Sequence, residues 1–109
     1  MIAIAAELEL DPFAALGDPH RRAIVQMLAG GDRSVQEIAD GLPISRPAVS
    51  RHLRLLKDAG LVLDRADGTK RLYSLHHQGA EMVATYMQEV WGDVATRFRL
   101  AAENTRESD

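Results

Sequence analysis

Residues 45–62 read SRPAVSRHLRLLKDAGLV, and this stretch decides the fold. At about 100° per residue, Val49, Leu53 and Leu56 fall on one side of a helix, which is therefore expected to be buried. The opposite side carries cationic side chains and a hydroxyl that suit phosphates and base edges: Arg46, Ser50, Arg51, Arg54 and Lys57. The stretch therefore predicts a helix that contacts DNA.

Start and stop signals frame this helix. Ser45 is placed to cap it, Pro47 stands in the first turn where a missing N–H costs nothing, and Gly60 ends it. Just upstream, residues 34–37 (SVQE) form a capping box that opens a short helix ending at Gly41. A short helix, a tight turn and a second amphipathic helix predict a helix-turn-helix.

A basic hairpin is predicted directly after the helix-turn-helix. Residues 61–65 and 71–75 read as strands, joined by a loop around Asp67-Gly68. Arg65, Lys70 and Arg71 lie on this hairpin, where they would serve phosphates or the minor groove. The hairpin is therefore predicted to be a wing, a second element that contacts DNA.

The rest of the chain is predicted to be helical. A first helix covers about residues 3–16, with a break near Asp11-Pro12, and a second begins at Asp18-Pro19. A long last helix runs over about residues 78–102, and the polar tail after it is expected to fray. We expect one domain over residues 1–109, a winged helix-turn-helix that is mainly α with a β-hairpin wing, in the order α-α-α-α-β-β-α.

Charge is segregated along the 109 residues, whose net charge is -3. Residues 44–73 carry seven basic and three acidic groups, whereas the segments on either side are acidic. One face can therefore meet a polyanion although the whole chain is acidic. The chain has no cysteine, no run of about 18 apolar residues and no basic flank of a signal peptide, so we expect a cytoplasmic protein without a membrane partner.

The last helix carries a narrow apolar stripe. Such a stripe is either part of the core or a dimer interface. We favour the interface, because the helix lies beyond the wing and is long for so small a domain. The residues concerned are Val83, Met87, Val90, Trp91, Val94 and Phe98.

Three segments resemble the ArsR group of bacterial winged-helix transcriptional repressors: residues 16–25 (LGDPHRRAIV), 37–40 (EIAD) and 44–62. The resemblance covers about residues 12–95. It implies a homodimer joined through the first and last helices, which adds Leu8 and Phe13 to the interface, and repression through operator DNA.

The metal sites of that family do not carry over. Its Cys-Val-Cys site corresponds here to residues 35–37 (VQE), and the terminal helix has Glu81, Glu89 and Asp93 but no histidine. We therefore expect no metal site and no cofactor. His52 is expected to pack on the apolar side of its helix and His20 to lie on the surface. A weak site at His76, His77 and Glu81 is the alternative.

The sequence thus predicts a homodimeric repressor, with no cysteine nucleophile, Gly-rich phosphate loop or carboxylate pair that would indicate an enzyme. Two alternatives remain open: a repressor of the same fold that responds to a metal or small-molecule effector, and a winged helix used only for protein contacts. The predicted DNA-contacting residues are Ser45, Arg46, Ser50, Arg51, Arg54, Arg65, Lys70 and Arg71.

Overall fold

The computed structural model describes residues 11–107, with side chains as far as residue 105. The predicted winged helix-turn-helix is confirmed, with one additional short strand. The elements are α1 (Pro12–Ala15), α2 (Pro19–Ala29), β1 (Arg33–Ser34), α3 (Val35–Asp40), α4 (Arg46–Asp58), β2 (Val62–Asp67), β3 (Lys70–Leu75) and α5 (His77–Glu107). None of the helices within the described residues combines the length and apolar composition that crossing a bilayer requires.

The helix starts follow the predicted capping signals. Asp18 accepts from the backbone N–H of His20 at 2.8 Å and of Arg21 at 3.1 Å, with Pro19 as the first helical residue. Ser34 and Glu37 form the reciprocal capping box of α3. The Ser45 hydroxyl accepts from the N–H of Ala48 at the start of α4. These caps satisfy backbone donors that a helix leaves unpaired, so they set where α2, α3 and α4 begin.

The sheet has three antiparallel strands in the order β1-β3-β2. The unpredicted strand β1 pairs Arg33 with Tyr73 and Ser34 with Leu72, which ties the start of α3 to the wing. Gly68 has φ 63° and is the first of the two residues between β2 and β3. A two-residue hairpin turn favours positive φ there, and glycine adopts it without a steric penalty.

The core lies between α2, α3, α4 and the base of the hairpin. As predicted, the apolar side of α4 supplies Val49, Leu53 and Leu56, each with 0% exposure. Ile24 of α2 and Ile38 of α3 are equally buried, and Val62 of β2 closes the cluster. The polar face of α4 therefore points away from the core by necessity.

The last helix is longer than predicted. It runs as far as Glu107, so the expectation that residues 103–107 fray is wrong. Those residues (ENTRE) contain good helix formers and neither glycine nor proline, so nothing ends the helix at residue 102. At the other end of the chain, the described part of the first helix starts at its Asp11 cap, while residues 1–10 lie outside the described residues.

Candidate DNA-binding surface

The polar face of α4 is presented by the helix-turn-helix as an exposed surface. Ser45, Arg46, Ser50, Arg51 and Arg54 are all exposed, whereas their apolar neighbours are buried. The Arg46 guanidinium donates to the side-chain carbonyl of Gln36 on α3 at 3.1 Å. Within the described part of the chain, no hydrogen bond or ion pair holds Arg51 or Arg54. Two cations on this face are therefore free to meet an external anion.

Two of the three predicted cations of the wing are paired with carboxylates. Arg65 lies 2.7 Å from a carboxylate oxygen of Asp32, and Arg71 donates to Asp64 at 2.6 Å. Lys70, at the start of β3, is exposed, and no described residue forms an ion pair with it. Lys70 is thus the wing cation most available to a phosphate.

Asp64 is the residue of this region that the sequence analysis missed. Its side chain is only 8% exposed and lies between Lys57 at the end of α4 (2.8 Å) and Arg71 on β3. Hydrogen bonds from Lys57 and Arg71 hold the pKa of Asp64 below its ordinary value, so the carboxylate stays ionised. Lys57, which shares the polar face of α4, is therefore tethered to the wing although about half of its side chain remains exposed.

An open groove connects the start of α4 with the wing. It is lined by three cationic groups, three hydroxyls, an amide and apolar surface, contributed by Ser34, Val35, Gln36, Arg46, Thr69, Lys70, Arg71 and Tyr73. The structure therefore brings Arg46 of α4 and the wing residues Lys70 and Arg71, about 25 residues further along the sequence, to one cationic groove. Such a surface suits a phosphate backbone.

The predicted dimer residues lie on an exposed apolar face of α5. Val83 is half-buried, while the exposed fractions of Met87, Val90, Trp91 and Val94 are 48–52% and that of Phe98 is 77%. The face is wider than predicted, because Met82, Tyr86 and Leu100 are exposed beside it. Phe13 of α1 packs on Tyr86 with ring centroids 4.6 Å apart. Leu8 lies outside the described residues.

The histidines fall into two groups. His52 is half-buried, and its Nδ1 lies 3.3 Å from a guanidinium nitrogen of Arg21. Burial lowers the pKa of His52 below its ordinary value, and the nearby Asp18 opposes that shift. His20, expected on the surface, is half-buried and faces His52, with ring centroids 5.8 Å apart.

The alternative metal site is not assembled. The rings of His76 and His77 are tilted by 52° with centroids 5.0 Å apart, and His76 Nδ1 accepts from the N–H of Gln78. In residues 11–105, the one group of three potential metal ligands consists of Asp18, His20 and His52.

Comparison with known proteins identifies the family of this chain. A helix-turn-helix domain model matches residues 16–65. The chain is 48% identical to the HTH-type transcriptional regulator Rv2034 of Mycobacterium tuberculosis over 84 residues, which cover 77% of this chain and 78% of that protein. It is 35% identical to the arsenical resistance operon repressor of Escherichia coli over 85 residues, covering 77% of this chain and 73% of the relative.

A solved structure agrees with these relatives. The ArsR-like transcriptional regulator from Rhodococcus sp. RHA1 superimposes with a TM-score of 0.68 at 29% identity, over 93% of this chain and 94% of that one. This protein belongs to the ArsR family. It is a DNA-binding transcriptional regulator and not an enzyme. At the positions that correspond to the Cys-Val-Cys metal site of the family, this chain has Val35, Gln36 and Glu37.

Proposed function

We propose that the protein is a homodimeric repressor that binds a palindromic operator, most simply in the promoter of its own gene. The observation that carries this proposal is the exposure of Arg51 and Arg54 on the outer face of a capped, well-packed helix. Their guanidinium groups have no described partner, so binding DNA would not require an internal ion pair to break. Arginine is the side chain best suited to bidentate contact with guanine.

The wing and the groove support the same proposal. Ser45, Arg46 and Ser50 lie at the start of α4, from which helix-turn-helix proteins contact base edges. Lys70 and Arg71 line the adjoining groove, where they would bind phosphates and set the orientation on the duplex. Arg65 would contribute by exchanging Asp32 for a phosphate. Together with Arg51 and Arg54, these six residues form the proposed DNA-binding set.

The dimer is proposed to form through α5 and the first helix. A single chain that leaves Trp91, Val94 and Phe98 about half or more exposed carries an apolar patch larger than isolated surface residues explain. A second copy of the chain is the simplest partner for this patch, because a two-fold axis packs the apolar stripe of one α5 against the same stripe of the other. In this proposal residues 1–109 form one domain that holds both the DNA-contacting elements and the dimerisation helices.

A footprint tests the operator. Purified protein on DNA upstream of its own gene should protect two inverted half-sites whose centres lie about 10 bp apart or a multiple of that. Protection of a single half-site, or of no site at all, would contradict the dimeric form of the proposal or the choice of promoter respectively.

A double variant tests the proposed contacts of α4 with DNA. Arg51→Ala with Arg54→Ala should weaken operator binding at least about thirtyfold, because each arginine contact to a base contributes roughly 1–3 kcal/mol. The matched control removes the same charge from Arg22 and Arg99, which are exposed outside α4 and the wing. Fluorescence polarisation on the footprinted DNA compares both variants with the wild type. Equal affinities for the two double variants would sink the proposal.

A further inference from the structure

Three potential metal ligands converge where α2 begins beside α4. Asp18 caps α2, His20 lies in the first turn of that helix, and His52 reaches across from α4. One ligand atom from each residue can be chosen so that all three lie within 4.8 Å of one another. The three side chains are half-buried, so they are held in place yet remain accessible from solvent.

We propose that Asp18, His20 and His52 bind a divalent transition-metal ion of the Zn²⁺ type. Two imidazole nitrogens and one carboxylate oxygen form a donor set that suits Zn²⁺, with water as the fourth ligand. This proposal revises the expectation from the sequence that the chain has no metal site. It also differs from the two family sites whose ligands this sequence lacks. One of them uses cysteines in the helix that corresponds to α3, and the other uses residues of the terminal helix.

The geometry needs only a small adjustment. An ion about 2.1 Å from each ligand of a tetrahedral site separates neighbouring ligand atoms by roughly 3.4 Å. The present spacing of up to 4.8 Å closes if side chains move by about an ångström. His20 can supply that movement, because 43% of its side chain is exposed. Its Nδ1 is already 4.0 Å from an oxygen of Asp18.

Arg21 opposes the ion but does not block it. Its guanidinium can only donate, so His52 Nδ1 acts as an acceptor and carries the lone pair that a metal needs. Arg21 also donates through Nε to the carbonyl of Ala15 at 2.6 Å, and this bond keeps it anchored if the contact to His52 is lost. The positive end of α2 lowers cation affinity by a factor of roughly 2 to 30, and the Asp18 carboxylate counteracts it.

An ion at this position would cross-link the start of α2 to α4, two helices that otherwise meet there through side-chain packing and the contact between Arg21 and His52. The site is therefore a structural clamp between α2, which precedes the helix-turn-helix, and α4, the helix that presents Arg51 and Arg54.

Isothermal titration of the untagged, metal-free full chain with Zn²⁺ at neutral pH tests the proposal. The expected result is one site per chain. Asp18→Asn removes the carboxylate but keeps an efficient helix cap, and His20→Ala removes an imidazole from a half-exposed position. Each should weaken binding at least about tenfold, since even residues that only support metal ligands change affinity by 10- to 100-fold. His52→Ala should have the same effect.

The matched control removes the other imidazole pair. His76→Ala with His77→Ala should leave Zn²⁺ affinity unchanged, because these rings lie outside the cluster. Far-UV circular dichroism establishes that each variant is folded, and if His52→Ala is not, His20→Ala and Asp18→Asn decide the question. The proposal is overturned if the wild type binds Zn²⁺ no more tightly than those two variants, or if the control abolishes binding.

Discussion

Asp64 on β2 accepts a hydrogen bond from Nε of Arg71 on β3, with 2.6 Å between the two atoms. The two residues are diagonal neighbours on one face of the hairpin, since Asp64 pairs directly with Tyr73. The second oxygen of the same carboxylate lies 2.8 Å from Nζ of Lys57 at the end of α4. This carboxylate, only 8% exposed, therefore fixes the wing relative to the helix that precedes it, which sets the geometry of the proposed DNA-binding surface.

The first prediction concerns the pH dependence of this contact. The folded-state pKa of Asp64 is lowered, so its contribution to stability is complete above its ordinary pKa of 3.8 and is lost as pH falls through the folded value. Asp64→Asn should lower stability at neutral pH by about 1 kcal/mol, a modest amount because both partner side chains are more than half exposed. Thermal unfolding measured from neutral pH to below pH ~3 should show the difference shrinking in acid.

The control for this prediction is Asp67→Asn at the exposed end of β2. It removes the same charge from the hairpin without breaking an ion pair found in the described residues, so the unfolding temperature should change little. A wild-type advantage over Asp64→Asn that is equally large in acid and at neutral pH would show that ionisation of Asp64 is not its source.

The second prediction separates phosphate contacts from base contacts and rests on the proposed function. Lys70→Ala should weaken binding to operator and to unrelated DNA by similar factors, because a phosphate contact carries no sequence information. The slope of log affinity against log salt concentration should fall by about 1. Arg99→Ala on α5 removes the same charge and should leave the slope unchanged. A loss of affinity confined to the operator would instead make Lys70 a base contact.

The third prediction concerns the start of α5. A Cβ built on Gly79 would lie 2.7 Å from the carbonyl oxygen of Gly60 and 2.6 Å from a methyl carbon of Leu61. The Gly79 N–H also donates to that carbonyl at 2.9 Å, so the helix cannot move away without losing the bond. Gly79→Ala should therefore destabilise the fold by about 1–3 kcal/mol.

Gly92 in the same helix provides the comparison. The three atoms nearest to a Cβ there all belong to the flexible end of the exposed Gln88 side chain, which can rotate away. Gly92→Ala should then stabilise the chain by up to about 1 kcal/mol, because alanine is the better helix former. Urea unfolding of both variants gives the two free energies, and changes of the same sign would refute this account of the contact at Gly79.

Local signals explain why so much of the fold could be predicted from the sequence. Asp18, Ser34 and Ser45 each satisfy backbone donors within three residues of themselves, so the cap and the helix start are visible in a short window. The buried side of α4 follows from apolar residues that recur every three or four positions, a pattern that is visible in an equally short window. The end of α5 was missed because the sequence contains no stop signal there, and polarity alone does not unwind a helix.

The site was less predictable because its contacts join distant parts of the chain. Strand β1 has two residues, too few for a periodic pattern, and exists because it pairs with β3. His20 and His52 meet across two helices, and no spacing in the sequence brings them together. Asp64 resembles any polar residue of a half-exposed strand until the fold places Lys57 beside it.

The fourth prediction tests the proposed dimer through α5. Val94 is 49% exposed in the single chain and lies in the middle of the apolar stripe. In a dimer, Val94→Glu would place an unpaired carboxylate in an apolar interface, which costs several kcal/mol. Sedimentation velocity should then show a dimer for the wild type and a monomer for the variant. Thr96→Glu adds the same charge on the opposite side of the helix and should remain dimeric.

The single tryptophan offers a second readout of the same interface. Trp91 is 52% exposed in one chain and borders Val94 on the stripe, so a partner would shield its indole from water. The emission of the wild type should shift to longer wavelength on dilution, as the dimer dissociates, while Val94→Glu should show the long-wavelength spectrum at every concentration. If Val94→Glu keeps the wild-type mass and spectrum while circular dichroism shows it folded, the dimer forms through another surface.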